Sequence, residues 1–446
     1  MVSAFISTAA GSIANTALPT IAAVFHVTAG TSVWVVNGVQ IATTATTLLF
    51  AALTDSRGGK GIFLTGMVLF TLACIACALA PTFAFLVAAR VVAGVGLAAM
   101  MVATNPITRA MFPPHQLGQS VAITAIFIAV GTASGPTIGG LVLAVAPWPW
   151  IFGSIVPFGV LSWYLAWRYL PDIPGDGGRH DWLSSALAGI GTGGTVITLE
   201  AIARRWNPAE AVLAAVTSAV ALTVFIRRQL RVTEPILAIE LFREPVFTVS
   251  VIASSLTYTA QGLAYVVLPF YFQSVLGRTP LESGMLLSAW PLTALIVATQ
   301  MGRISDRYRA SLLCTVGIAV MCLGLALFAL LPVAPSMFAI VVCAAVAGAG
   351  FATFQTPNVR AILANTPPEK TGRAAGLTGL SRLMGQTTGV ALVAIVFELS
   401  AGGAGVHIAP SRGAVEIALA VGCGFLVAGG ALSGWRMRLR QGVAVR

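Results

Sequence analysis

Runs of about 20 apolar residues, separated by short polar breaks, dominate the chain and restrict what it can fold into. They lie near 3–23, 32–53, 62–80, 83–108, 118–143, 150–169, 183–203, 209–226, 247–268, 284–302, 311–331, 336–360, 376–400 and 412–434. Each is long enough to cross a ~30 Å hydrocarbon layer as an α-helix. Of 446 residues, 57% are hydrophobic and only 9% charged, far below the roughly one quarter charged of a soluble protein. The expected fold is an all-α polytopic membrane protein with fourteen spans, and the even number puts both termini on one side. The stretch STAAGSIANTALPTIA at 7–22 resembles the apolar core of a secretory signal, but no basic segment precedes it and thirteen spans follow. It is read as span 1.

The net charge of +11 would suit a nucleic-acid binder, so its placement decides. With the N-terminus in the cytoplasm, all of the 25 Lys and Arg except Arg90, Arg204, Arg205, Arg278 and Arg412 fall in inner loops or at cytoplasmic helix ends. That bias is the positive-inside rule. The charge sets orientation, with both termini cytoplasmic, and no nucleic-acid partner is expected. Cys74-x-x-Cys77 lies inside span 3 without polar neighbours, so helix packing accounts for it. His26, His115, His180 and His407 sit in loops or at helix ends rather than at metal-ligand spacing, and there is no phosphate-binding G-x-x-x-x-G-K-[ST] loop. No enzymatic activity, cofactor or metal is expected.

The chain also repeats itself. AGVGLAAM at 93–100 resembles AGAGFATF at 347–354, an offset of 254. At that offset Pro113-Pro114 pairs with Pro367-Pro368, Gly118 with Gly372, Gly131 with Gly385 and Gly135 with Gly389; near 251, Asp55 pairs with Asp306. Spans 2, 4 and 5 thereby align with spans 10, 12 and 13. The reading is an N-terminal six-helix bundle over 1–170 and a C-terminal six-helix bundle with a short basic tail over 247–446. Two inserted spans and their linkers occupy 171–246. Tandem six-helix repeats are the architecture of an alternating-access carrier with its site near the midplane.

Six motifs carry a family likeness: IANTALPTIA in span 1, LTDSRGGK after span 2, RVVAGVGLAA in span 4, GTASGPTIGG in span 5, WPWIFGSIVPFG entering span 6 and LPFYFQSVLGR after span 9. In order and spacing they resemble the fourteen-span drug:proton antiporter (DHA2-type) branch of the major facilitator superfamily, especially its multidrug and quaternary-ammonium efflux subgroup. The likeness covers nearly the whole chain. In GTASGPTIGG, Gly131, Gly135 and Gly139 leave a side-chain-free stripe that lets another helix come close. Pro136 removes a backbone donor and permits a bend. The resemblance makes this segment a signature of exporters. In LTDSRGGK, Asp55 closes span 2 and Arg57 and Lys60 face the cytoplasm, so Asp55 can accept from these cations or cap the next helix. The resemblance implies a latch here, with Asp306 and Arg307 in the repeated position. The family pattern has basic residues where Ser56 and Gly59 stand, which implies a weaker latch.

Arg90 lies about a third of the way into span 4, where a charge costs at least ~2.5–3.5 kcal/mol. It either snorkels to the outer interface or faces a cavity; the resemblance implies the second, with a part in proton or substrate coupling. The family's first span resembles L-D-x-x-x-x-N-x-A-L-P. Asn15, Ala17, Leu18 and Pro19 match, but Ala10 takes the aspartate's place. No acid sits near mid-membrane: Glu200, Glu398 and Glu416 lie towards outer ends, and Asp55 and Asp306 at inner ends. Three accounts stay open: a natively acid-free site, a neutralised variant, or coupling through Arg90 and a peripheral acid. On the last, loss of Arg90 should harm exchange more than loss of Glu398 or Glu416.

Polar residues form stripes at helical spacing: Thr8, Ser12 and Asn15; Asn37, Gln40, Thr44 and Thr47; Tyr258, Gln261 and Tyr265; and Phe351, Phe354, Gln355 and Asn358. Of these, Asn15, Asn37, Gln40, Tyr258, Gln261, Tyr265, Phe354, Gln355 and Asn358, together with Trp34, Trp290 and Arg90, are the candidate substrate-binding residues. Aromatic rings suit a lipophilic cation, whereas Arg90 without a carboxylate suits neutral or anionic cargo; both stay open. The expected function is secondary active efflux of small lipophilic compounds across a bacterial inner membrane, in exchange for protons, by a monomer surrounded by lipid. A dedicated exporter of one endogenous metabolite and a transport-dead sensor or scaffold are the alternatives.

Overall fold

The computed structural model describes residues 2–112, 117–175, 181–203, 207–232, 239–305, 307–367, 370–400 and 409–441, and every regular element among them is helical. In order they are α1 (Val2–Val24), the short α2 (Ala29–Ser32), α3 (Trp34–Arg57), α4 (Gly59–Ala78), α5 (Phe83–Met111), α6 (Leu117–Val145), the short α7 (Trp150–Gly153), α8 (Val156–Tyr169), α9 (Trp182–Ala203) and α10 (Pro208–Gln229). A 3₁₀ turn (Ile239–Arg243) leads into α11 (Pro245–Phe270), which ends in a π turn (Tyr271–Val275). There follow α12 (Pro280–Ile304), α13 (Ala310–Ala329), α14 (Met337–Ala364), α15 (Thr371–Ser400) and α16 (Arg412–Gln441).

Twelve of these stretches are long and apolar enough to cross a membrane, counting α2–α3 and α7–α8 as one each. The remaining long helices, α1 of 23 residues and α9 of 22, were expected as spans 1 and 7 and stand outside that set. Large apolar side chains such as Leu79, Val220, Val333 and Phe338 point outwards, as a lipid-facing surface requires. The protein is a polytopic membrane protein.

Helix α1 lies along α6, and α5 lies between α3 and α4; α11 lies along α15 and α16, α14 lies between α12 and α13, and α6 packs as closely on α12 as on α1. Helices α9 and α10 pair with each other, and α9 also rests on α3 and α15.

The sequence repeat is physically a repeat of close helix approaches. A Cβ on Gly94 would run into the carbonyl of Val39, and one on Gly348 into the carbonyl of Trp290. On α6, a Cβ at Gly131 would lie 2.7 Å from the Phe5 carbonyl, and one at Gly135 3.0 Å from that of Ala9. On α15, a Cβ at Gly385 would lie 2.5 Å from the Ser255 carbonyl, and one at Gly389 would strike that of Thr259. Helices α1 and α11 therefore correspond at an offset of 250, a match their side chains conceal. Gly139 continues the α6 stripe, 3.1 Å from the Ile13 carbonyl.

One turn depends on glycine outright. Gly58, between α3 and α4, has φ +94°, and the Ile173 carbonyl fills the space a side chain would take. The chain leaving α8 is thereby seated on the α3–α4 turn.

Candidate substrate cavity and gate

Helices α11, α12, α14 and α15 bring one polar and aromatic cluster together. The ring of Tyr258, 4% exposed, meets Phe351 edge-on at 5.6 Å. Its hydroxyl lies near Gln355 and within electrostatic reach of the Arg382 guanidinium. One turn along, Gln386 Nε2 donates to Gln261 Oε1 at 3.2 Å, and Gln261 lies near Tyr265. Tyr265 in turn packs on Trp290 at 5.5 Å. The indole Nε1 of Trp290 and the Nε of Arg382 are buried without a hydrogen-bond partner. Phe354 is buried at 1% exposure.

The facing helices are plainer. Asn15 on α1 and Gln40 on α3 are half-buried, with Asn15 Oδ1, Gln40 Oε1 and Ser134 Oγ lacking partners. Asn37 is fully buried on α3 and Trp34 half-buried at its start. Ala10, where the resemblance expects an aspartate, is 2% exposed and belongs to the apolar core. Arg90 is buried, donates from Nε to the Val35 carbonyl at 2.9 Å and stands over the Phe152 ring at 5.2 Å. These partners of Arg90 belong to the N-terminal helices. A cavity of about 390 Å³ lined by Ser3, Phe63, Thr104 and Tyr169 also lies wholly within that half.

The two halves are tied by polar contacts towards one end. Glu398 on α15 accepts hydrogen bonds from Thr28 at 2.6 Å and Thr31 at 3.4 Å. Gly30 packs so tightly on the same carboxylate that a Cβ would sit 2.8 Å from Oε1. Gln273, in the π turn, donates to the Thr16 carbonyl at 2.9 Å. On α6, Thr137 and Ser288 hydroxyls meet at 2.8 Å, and Gly284 of α12 lies against the Pro136 carbonyl. The glycine-proline segment thus serves both packings at once: Gly131, Gly135 and Gly139 face α1, while Pro136 faces α12.

The opposite end holds polar contacts of its own. Lys60 pairs with Asp172 of the following linker at 3.0 Å; Asp55, Arg57 and Arg307 are exposed, and Asp306 lies outside the described residues. Asn358 accepts at Oδ1 from Arg436 (3.1 Å) and donates from Nδ2 to Ser254 Oγ (2.7 Å) and the Ser250 carbonyl (3.2 Å). Arg436 also donates to Ser250 Oγ at 2.5 Å. Asn358, read from sequence as cavity-lining, is thus committed inside the C-terminal helices. Arg436, counted with the cytoplasmic charges, is 3% exposed.

The profile of the Major Facilitator Superfamily matches residues 1–389 and, a second time, 250–440. The chain belongs to the major facilitator superfamily. It is 38% identical over 412 residues to the uncharacterized transporter YebQ of Escherichia coli strain K12, covering 92% of this chain and 90% of that one. It is 28% identical over 396 residues to the riboflavin transporter RibZ of Clostridioides difficile strain 630, covering 89% and 86%. It is 28% identical over 387 residues to the multidrug resistance protein Stp of Mycobacterium tuberculosis, covering 86% and 72%. Family and relatives are transporters, not enzymes. Within this facilitator, sequence reasoning missed Arg382, Gln386 and Gln273. Arg382 carried the signal that singled out Arg90, a charge inside an apolar run; Gln273 sat in a quoted motif whose geometry only the π turn explains.

Proposed function

We propose that this facilitator is a fourteen-span carrier, both termini in the cytoplasm, which exports small lipophilic compounds across a bacterial inner membrane by alternating access and in exchange for protons. One observation carries the reading. Hydrogen bonds knit the two halves at the Glu398 end, while Asn15, Gln40 and Trp290 keep buried polar atoms unpaired on α1, α3 and α12. Buried polar atoms are normally satisfied, so such a set on facing walls suits a cavity that cargo and water enter. On this reading the Glu398 end is external and shut, and rocking of the 1–170 bundle against the 247–446 bundle opens it. A relative named for multidrug resistance supports export.

The proton needs an acid that Ala10 does not supply. Glu398 takes that part: its carboxylate must release Thr28 and Thr31 before the external end opens, and protonation weakens it as an acceptor. Arg90, bound to the Val35 carbonyl and Phe152, holds α3 to α5 beneath that gate. The test is substrate flux and internal pH read together in sealed vesicles. Glu398→Gln should keep downhill flux and lose substrate-driven proton movement. Normal proton movement in Glu398→Gln together with its loss in Arg90→Ala would return the role to Arg90. Gain of proton coupling in Ala10→Asp would mark span 1 as the family's coupling position.

A relative named a riboflavin transporter favours a second reading, a carrier dedicated to one metabolite. Flux of a chemically diverse dye panel separates the two, because a narrow profile supports the second.

A further inference from the structure

We propose that Arg382 is the anion-recognising element of the central cavity, and that the cargo is an aromatic compound carrying one negative charge, such as a carboxylate. The inference rests on the carrier reading above and deepens it. Four observations converge on it. Arg382 lies well inside α15, which runs from Thr371 to Ser400, where an unpaired cation is costly unless it faces water or a ligand. Its buried Nε has no hydrogen-bond partner, and no carboxylate pairs with it among the described residues. Along its own helix the next acid is Glu398, about 24 Å away at 1.5 Å per residue, and that group is engaged by Thr28 and Thr31. The chain places no Asp or Glu on α14; Glu244 and Glu282 stand at the starts of α11 and α12, away from Tyr258 and Trp290.

The surroundings specify the rest of the ligand. The Trp290 indole N–H is a second buried donor without an acceptor. Tyr265 packs on that indole, and two turns along the same helix Tyr258 meets Phe351 edge-on. Amide pairs such as Gln386–Gln261 orient the wall without adding charge. Unused donors, one of them a cation, next to aromatic rings and no acid select a flat ligand that brings its own acceptors and its own negative charge. A guanidinium meets a carboxylate with two parallel hydrogen bonds, whereas a quaternary ammonium would meet like charge here.

The experiment uses the full-length protein in phosphatidylcholine nanodiscs, which carry no net anionic lipid, and three probes on one ring system: 2-naphthoate, 2-naphthamide and (2-naphthyl)trimethylammonium. Binding is read by calorimetry. Naphthoate should bind at least tenfold more tightly than naphthamide, with the ammonium probe weakest. Arg382→Gln should erase the naphthoate advantage and leave naphthamide binding within twofold; Arg382→Lys should restore part of it. Equal binding of naphthoate and naphthamide, tighter binding of the ammonium probe, no binding of any probe, or anion preference surviving in Arg382→Gln overturns the proposal. If adding phosphatidylglycerol to the discs competes with naphthoate through Arg382, a lipid headgroup is the physiological anion instead, and the aromatic cargo is overturned. Flux in vesicles keeps the two readings apart. A protein that transports naphthamide without preferring the anion remains a carrier and loses this proposal; one that binds naphthoate through Arg382 yet moves no probe keeps it and loses the carrier reading.

Discussion

The two halves share a packing plan and divide the chemistry. With α1 matched to α11 at 250 and α6 to α15 at 254, Tyr258, Gln261 and Tyr265 stand where the first half has Thr8, Gly11 and Asn15. Arg382 and Gln386 answer Ile128 and Thr132, and Trp290 answers Val39. The glycines that set interhelical distance persist in both halves, whereas the side chains between them do not. A buried glycine in backbone contact tolerates no Cβ, because packed interiors have no slack. A position facing a cavity is constrained only by what the cavity holds. The matched positions accordingly differ, with Thr8, Gly11 and Asn15 in the first half against Tyr258, Gln261 and Tyr265 in the second.

If the packing plan is common, breaking it should hurt both halves alike. Gly94→Ala and Gly348→Ala each drive a Cβ into a carbonyl of the neighbouring helix, and backbone cannot swing aside as a side chain can. Each should lose about 3 kcal/mol and abolish flux, while Gly424→Ala, with nothing within 4 Å, should behave as wild type. Thermal unfolding in detergent measures all three. A large loss in only one of the glycine pair would show that the halves are not packed equivalently.

The buried arginines should part company instead. Arg436→Leu strands Asn358 Oδ1 and Ser250 Oγ and should cost about 2 kcal/mol. Arg90→Leu gives up one carbonyl contact and a ring, about 1 kcal/mol. Equal melting shifts would dissolve the distinction. An effect no larger than the last is expected at the gate. Thr28→Val removes the 2.6 Å bond and leaves Glu398 only Thr31 at 3.4 Å. A loss of about 1 kcal/mol is about a fivefold shift towards opening, read as faster maleimide labelling of Ala29→Cys, a position 3% exposed while shut. Unchanged labelling would remove Glu398 from the gate.

How much of this was legible in sequence follows from the range of each signal. Span lengths depend on local hydropathy, and so 247–268 foretold Pro245–Phe270. The Tyr258, Gln261 and Tyr265 stripe was legible because helical spacing alone puts those three on one face, and the structure gives that face its partners on α12, α14 and α15. Asn358 shares a stripe with Gln355, yet its partner Arg436 lies 78 residues on, and no local pattern tells one turn from the next. Thr28 and Glu398, 370 residues apart, are likewise joined only by how the halves close. Arg382 was hidden differently, in a run whose first turns were read as a cytoplasmic helix end.

The smallest effect contrasts the repeated halves with the inserted pair. Helices α9 and α10 have no counterpart in the repeat, and a surface ion pair pins them. Arg228 donates to Asp181 from Nε at 3.1 Å and from Nη2 at 3.2 Å, and Ser184 adds its N–H at 3.1 Å and its hydroxyl at 2.5 Å. Partial burial pushes the Asp181 carboxyl up, but these donors together outweigh it and hold the group down to about 2. The folded value lies below the ~3.9 of an unfolded aspartate. The stabilisation is therefore complete above about pH 4 and drains away as pH falls towards 2. Because Arg228 and Asp181 are 41% and 23% exposed, water screens the pair to about 0.5 kcal/mol. Asp181→Asn should thus melt slightly below wild type at pH 7, keep the same gap from pH 5 to 8, and converge with it near pH 2. A gap that changes between pH 5 and 8 would mean that another titrating group holds α9 against α10, and that the inserted pair is fixed by the helices it rests on rather than by this contact.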